Sequence, residues 1–211
     1  MKTVFVVTHT QSIHHVENKV GGWFDTGLTR QGRIDAEATA VRLATMIGRA
    51  DVEIFSSDLV RASETAAIIA ERFRRPVHVT ADLREISYGA AGGMPEDWLK
   101  ARQVPAPEHN RMDHRGGIDD GETRRELAAR VYRAVDGIAM RPCATQIVVT
   151  HGFALTFVIA AWIRMPIDAL GHVAFPARPG SITHLQEDDY WRNRAVLRLA
   201  DASHLPAGAA G

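Results

Sequence analysis

Apolar residues in this chain come in short β-branched runs that alternate with stretches of helical spacing. Residues 1–7 and 146–149 are brief, rich in valine and followed by turn-forming residues, so each reads as a buried strand. Residues 52–55 and 77–80 form two more such runs. Between them, Ile34, Ala38, Val41 and Ala44 recur at helical spacing after Thr29, a residue type that caps helix N-termini. A second helix, capped by Ser57 or Asp58, carries Ala62, Ala66, Ile69 and Phe73 on one stripe. Thr123 and Glu126 predict a capping box before a third helix, with Leu127, Val131, Ala134 and Ile138 facing inward. A fourth helix is expected over residues 153–164, and residues 181–185 and 195–199 read as further strands at the sheet edge. Alternation of this kind predicts a three-layer α/β/α sandwich with a mostly parallel central sheet.

The pattern fades twice. Residues 9–28 form a loop rich in glycine and polar groups, and residues 88–121 carry three prolines, several glycines and mixed charge. The second stretch suits a lid over a site. Residues 1–200 are expected to make one domain and residues 201–211 a flexible tail. Charge narrows the partners: 25 basic and 25 acidic side chains balance, so no global field favours nucleic acid or an anionic membrane. The longest apolar run, residues 153–163, falls well short of the about 20 residues that cross a bilayer. Cys143 is the single cysteine, which leaves no intramolecular disulfide and no cysteine-based zinc cluster. No basic segment followed by a long apolar core opens the chain, so a cytoplasmic, reducing setting is expected.

The tetrapeptide Val-Val-Thr-His occurs twice, at residues 6–9 and 148–151. His9 and His151 each stand just past the C-terminal end of a predicted strand, where open α/β sheets collect ligands. Two further residues fit that edge. Arg61 falls in the first turn of a helix and joins a permanent guanidinium to a helix N-terminus, which suits phosphate or carboxylate. Glu85 follows the predicted third strand. A carboxyl near an anion site has its pKa raised and can serve as a general acid.

These residues carry a resemblance. Thr8-His9-Thr10-Gln11-Ser12, Glu17-Asn18-Lys19, Gly22-Trp23-Phe24-Asp25 and Leu28-Thr29 resemble the opening of the histidine phosphatase superfamily, in the phosphoglycerate mutase-like branch. Ser56-Ser57-Asp58-Leu59-Val60-Arg61-Ala62 with Thr65-Ala66 resembles the second motif of that family. Leu83-Arg84-Glu85 with Tyr88-Gly89 resembles the third, and Val149-Thr150-His151-Gly152 the last. Gly121-Glu122-Thr123 and Ser181-Ile182-Thr183 match weaker landmarks, and the order holds from residue 3 to about 185.

The resemblance implies a metal-independent phosphatase, without cofactor, that hydrolyses a small phosphomonoester. His9 is the implied nucleophile and phosphohistidine site, Glu85 the general acid and base, and Arg61 with His151 the groups that place positive charge on the phosphate oxygens. Gly21 and Gly22 would let backbone N–H groups approach the phosphate. Thr8, Thr10, His15, Asn18 and Gly152 complete the expected substrate contacts.

Two departures stand out. The family motif Arg-His-Gly is Thr8-His9-Thr10 here, which removes a phosphate-binding arginine. A charge-assisted bond contributes about 1.5–3 kcal/mol, so His15, with His14 beside it, is the candidate replacement. The segment between Glu85 and His151 is also shorter than in a mutase, and Glu96 stands where such a mutase carries a lysine. Arg102, His109, Arg111, His114 and Arg115 are candidates to line the lid, with a solvated lid face as the alternative. A shorter lid admits water and favours hydrolysis. A catalytically weakened phospho-ligand binder, a mutase-like phosphotransferase and a histidine metal site remain the other readings. Residues 181–185 could also pair with a second subunit in a homodimer.

Overall fold

The computed structural model describes residues 1–206. Six strands form one sheet: β1 (Lys2–Thr8), β2 (Val52–Ser57), β3 (Val77–Thr80), β4 (Thr145–Thr150), β5 (Ile182–Glu187) and β6 (Arg194–Asp201). Their order across the sheet is β3-β2-β4-β1-β5-β6. β3, β2, β4 and β1 are parallel, β5 runs antiparallel to β1, and β6 runs antiparallel to β5. The sheet is therefore mostly parallel, as the alternating pattern predicts.

The period of two along each strand sorts side chains onto two faces. Val4, Val6 and Val148 pack with α5 (Arg124–Ala139) and α6 (Ala154–Trp162) in one core. Phe5, Val7, Ile54, Ile147 and Val149 pack on the other face with α2 (Arg30–Ile47) and α3 (Val60–Phe73). Every residue of α6 is buried, which explains why its apolar run carries no polar stripe. No helix among the described residues is long and apolar enough to cross a membrane.

The repeated tetrapeptides lie side by side. Val6 pairs with Val148, Val7 with Val149 and Thr8 with Thr150, in parallel register. The His9 N–H donates to the Thr150 carbonyl (2.8 Å), so both histidines leave the sheet at one point.

Several expectations change. α2 buries Gly32, Ala36, Thr39, Ala40 and Leu43, while Ile34 and Val41 are exposed. The buried face is the one with small residues, because the helix passes close to the Gln11 backbone. A Cβ on Gly32 would stand 1.9 Å from the Gln11 carbonyl oxygen. The N-cap of α3 is Leu59, whose N–H reaches the Ser57 hydroxyl (3.3 Å), while Asp58 pairs with Arg84. Residues 181–185 are no free edge: β5 is enclosed between β1 and β6. The expected tail begins in order, since Asp201 ends β6, Leu205 is buried and His204 Nε2 meets the Thr39 hydroxyl at 3.1 Å. Residues 207–211 lie outside the described residues.

The lid segment, residues 88–121, contains α4 (Glu96–Lys100) and short 3-10 turns at Gly89–Ala91 and Arg111–Asp113. Its Ala91 and Ile118 form a small core with Val20 of the first loop, packed against Tyr88, Trp98 and Leu99. The Glu96 N–H donates to the Asn18 carbonyl (2.9 Å), tying the lid to the first loop. That first loop contains α1 (Ile13–Val16).

Candidate active site

The C-terminal ends of β1, β2 and β4 bring His9, Ser57 and His151 together, and α3 adds Arg61. A pocket of about 240 Å³ opens there, lined among others by Thr8, His9, His14, His15, Arg61 and Glu85. A larger hollow, about 1140 Å³, surrounds Met1, Arg141 and Arg194 at the other end of the sheet.

His9 is 6 % exposed. Its Nδ1 lies 2.8 Å from the Thr10 carbonyl oxygen, an acceptor only, so Nδ1 carries the proton. Arg61 Nε donates to His9 Nε2 at 3.2 Å, so Nε2 presents its lone pair. Burial, then the Arg61 guanidinium and His15, hold the His9 pKa well below the ordinary histidine range. His9 is thus a neutral imidazole of one defined tautomer.

Arg61 is 1 % exposed and donates no hydrogen bond to a carboxylate. Its Nη1 donates to the Phe24 carbonyl (3.0 Å) and its Nη2 to the Gly22 carbonyl (2.5 Å), and Asp25 stands 4.0 Å away. A buried cation compensated mainly by carbonyl dipoles is a strong anion attractor. Gly22 holds the arginine in place from a left-handed backbone, φ 58°. A Cβ there would stand 2.8 Å from the Ile86 carbonyl oxygen and from Tyr88 Cδ2. Gly22→Ala is therefore expected to cost about 2–4 kcal/mol, from backbone strain and overpacking together. The measurement is thermal unfolding, and an unchanged Tm would contradict this account of the turn.

Glu85 is held by three backbone N–H groups: Ile86 (2.8 Å) and Ala154 (3.0 Å) on Oε1, and Phe153 (2.9 Å) on Oε2. Burial raises its pKa above the ordinary glutamate range, and those bonds with Arg61 draw it only partly back. Its own carbonyl is fixed by Trp23 Nε1 (2.7 Å) and Arg130 Nη2 (2.8 Å). Arg130 in turn is paired with Glu122 (2.7 Å).

His151 is fully buried, with its ring centroid 5.0 Å from that of His9. Its Nε2 lies 2.8 Å from the Ser57 hydroxyl, while Nδ1 is buried without a partner. With Ser57 donating, the proton sits on that orphaned Nδ1, which an incoming oxygen would satisfy. Burial, then His9 and Arg61, keep His151 neutral, well below the ordinary histidine range. The expected positive charge is not carried by the unliganded ring, which is neutral and offers a hydrogen-bond donor instead.

The remaining expected contacts separate. Thr8, His15, Gly21, Gly22 and Gly152 line the pocket. The Thr8 hydroxyl donates to the Arg178 carbonyl (2.7 Å), so Thr8 anchors the 178–181 segment at the rim. Thr10 is corrected to a positioning residue: fully buried, its carbonyl accepts from His9 and its N–H donates to the Thr65 hydroxyl (3.3 Å). Asn18 is corrected as well. It is exposed, lies outside the pocket and occupies a left-handed turn, φ 50°, a conformation asparagine tolerates. Arg111, His114 and Arg115 line a neighbouring groove, whereas Arg102 stacks on Trp98, 4.3 Å from the ring centroid. Sequence reasoning did not single out Tyr88, Ala177, Arg178 and Pro179 as pocket residues, nor Ser57 as a partner of His151.

His14 and His15 differ. His14 is buried, its Nδ1 lies 3.0 Å from both the Ser12 and Thr26 hydroxyls, and burial followed by His15 brings its pKa down to about 3. His15 stacks on His9, 5.4 Å between centroids, and its Nδ1 accepts the Ser12 N–H (3.3 Å), which places its own proton on Nε2 at the pocket mouth. His15→Ala is expected to weaken phosphate or vanadate binding about tenfold, and His14→Ala far less. Calorimetric titration decides it, and equal small effects would remove His15 from the site. Among the described residues, no group of three or more His, Cys, Asp or Glu side chains is placed to hold a metal ion.

The site therefore offers a neutral imidazole whose Nε2 lone pair faces a buried guanidinium, and a carboxyl of raised pKa, around one pocket. Known proteins share this frame. "Probable phosphoglycerate mutase GpmB" of Yersinia pestis is 27% identical over 212 residues, covering 97% of this chain and 95% of its own. The structure of Bacillus stearothermophilus YhfR superposes with a TM-score of 0.79 at 27% identity, covering 97% of this chain and 99% of that one. A mycobacterial glucosyl-3-phosphoglycerate phosphatase solved with VO3 superposes with a TM-score of 0.75 at 26% identity, covering 94% and 98%. The family model of the histidine phosphatase superfamily (branch 1) matches residues 4–200, and with nearly its whole length accounted for in this way the chain belongs to that superfamily.

Proposed function

We propose that the protein is a phosphatase that hydrolyses a small phosphomonoester through a phosphohistidine on His9, with no metal or cofactor in the scheme. One observation carries the reading: the Nε2 lone pair of a neutral His9 faces buried Arg61 in the pocket that Glu85 lines. A phosphate entering this pocket competes for the Arg61 donors and frees that lone pair. His9 Nε2 then bonds to phosphorus while the ester P–O bond breaks, and protonated Glu85 gives its proton to the departing oxygen. In the second step the Glu85 carboxylate takes a proton from water, the water oxygen bonds to phosphorus and the N–P bond breaks. Arg61, the His151 Nδ1–H and the His15 Nε2–H hold the non-bridging oxygens. His15 and Glu96 are exposed at the mouth, so water reaches the intermediate and hydrolysis is favoured over transfer to a second substrate.

The test is incubation with an aryl phosphate, with and without EDTA. Release of phosphate that EDTA leaves unchanged, with acid-labile, base-stable label on His9, is the expected result. Saturable binding of the ester without release would favour a phospho-ligand binder. Label transferred to an alcohol in preference to water would favour a mutase-like transferase.

A further inference from the structure

Glu85 stands on a segment without regular backbone pairing. β3 ends at Thr80, one 3-10 turn covers Ala81–Leu83, and the lid follows from residue 88. Carbonyls in such a stretch need donors from other elements. Each carbonyl from Asp82 to Glu85 finds one. The Thr150 hydroxyl donates to Leu83 (2.8 Å), and a single side chain, Arg130 of α5, serves the other three. Its Nη1 donates to Asp82 (3.1 Å) and Arg84 (2.7 Å), and its Nη2 to Glu85 (2.8 Å).

Glu122 completes the grip. Its Oε1 accepts Arg130 Nε (2.7 Å) and its Oε2 accepts Arg130 Nη2 (2.8 Å), so the guanidinium has an acceptor for every N–H it carries. Glu122 Oε2 also accepts the Ser87 N–H (3.1 Å), and the Glu122 N–H donates to the Ser87 carbonyl (2.8 Å). Both side chains are 10 % exposed, so water competes little for these bonds. The segment is held on either side of Glu85, at residues 82–85 and at 87. A planar fork of donors can do this; a lysine ammonium, with its donors on one atom, cannot.

The grip reaches the chemistry through the main chain. Among the described residues, the Glu85 carboxyl takes its hydrogen bonds from the N–H groups of Ile86, Phe153 and Ala154, not from Arg130. Nor does Arg130 line the phosphate pocket. Trp23 reinforces the same point: its Nε1 donates to the Glu85 carbonyl (2.7 Å), and its ring centroid lies 5.8 Å from the Arg130 guanidinium.

We infer that Arg130, held by Glu122, is a positioning residue that sets the Glu85 carboxyl against the leaving oxygen without touching the substrate. The inference rests on the proposed phosphatase reaction, in which Glu85 gives and takes the proton. Placement matters at this scale, because a shift of about 1 Å in a reacting group can cost about 10²-fold in rate.

The readout is the ratio of kcat/KM for ethyl phosphate to that for p-nitrophenyl phosphate. The alkyl ester depends on a well-placed proton donor and the aryl ester far less, and a loss of folded protein cancels in the ratio. Arg130→Lys is expected to lower the ratio about tenfold or more, with affinity for inorganic phosphate unchanged. A Glu122→Met/Arg130→Met double variant separates placement from stability. Its Tm should exceed that of Arg130→Met, which leaves the Glu122 carboxylate buried and unpaired. Its ratio should stay low, because the carbonyls of Asp82, Arg84 and Glu85 still lack their donor. A ratio that neither variant changes while Tm falls would overturn the inference and make Arg130 a stabilising group alone. So would a ratio that recovers together with Tm in the double variant. A loss of phosphate binding as large as the loss of ethyl phosphate turnover would also overturn it, by placing Arg130 on the anion. Should no ester be turned over through His9, the phosphatase reading fails by itself. The infrared carboxyl band that Glu85→Gln removes then decides the placement: a band moved by Arg130→Lys supports it, and an unmoved band refutes it.

Discussion

His9→Ala is expected to lower phosphatase kcat by about 10⁴-fold or more and to abolish label incorporation into the protein. The imidazole is the one group in the pocket whose lone pair is held toward the buried guanidinium, at 3.2 Å from Arg61 Nε. Neither neighbouring ring replaces it: His151 has its Nε2 engaged by Ser57, and His14 is held by two hydroxyls. Binding should survive better than turnover. Arg61 keeps its bonds to the Phe24 and Gly22 carbonyls and still offers a charge to phosphate. The measurement is steady-state turnover with labelling quenched in alkaline detergent, alongside titration with inorganic phosphate. Turnover within tenfold of the unaltered protein would dismiss His9 as the nucleophile.

Glu85→Gln is the second large effect, and it depends on the leaving group. With an alkyl phosphate, whose oxygen must be protonated as it departs, kcat/KM should fall by about 10²–10⁴-fold. With p-nitrophenyl phosphate, whose leaving oxygen is stable as an anion, the fall should be much smaller. The pH profile follows from the directions of the two shifts. His9 acts when neutral, and its lowered pKa moves the acid limb well below 6.5. Glu85 acts when protonated, so kcat/KM for alkyl esters declines as pH rises through its pKa, which burial places above 4.5. Glu85→Gln should erase that alkaline limb. Equal losses on both esters, or a limb that persists in the variant, would assign the proton to another group.

The chemistry of the site was largely legible in the linear chain. His9, Arg61, Glu85 and His151 each follow or begin an element whose period is local, so their positions at strand ends could be read without a partner in view. Distances across the fold could not. Asn18 belongs to a recognisable motif, yet its left-handed backbone turns it away and leaves its carbonyl to the lid. Thr10 adjoins His9, yet its carbonyl serves to set the tautomer rather than to meet substrate. Helical spacing of apolar residues in α2 picks out Ile34 and Val41, whereas Gly32, beside the Gln11 backbone, and Ala36 are the buried ones.

Sequence alone settled the alternation of strands and helices and the capping box at Thr123 and Glu126, and it put His9, Arg61, Glu85 and His151 at the ends of elements. These rest on short-range physics: side-chain periodicity, cap hydrogen bonds and turn propensity act between residues a few positions apart. Tertiary structure decided that β1 and β4 are neighbours in register, and so that the two Val-Val-Thr-His segments deliver their histidines 5.0 Å apart. It also decided that burial keeps both rings neutral and that Thr8 anchors the rim. Register, burial and the field of a remote guanidinium arise only when distant segments pack, and no local pattern encodes them.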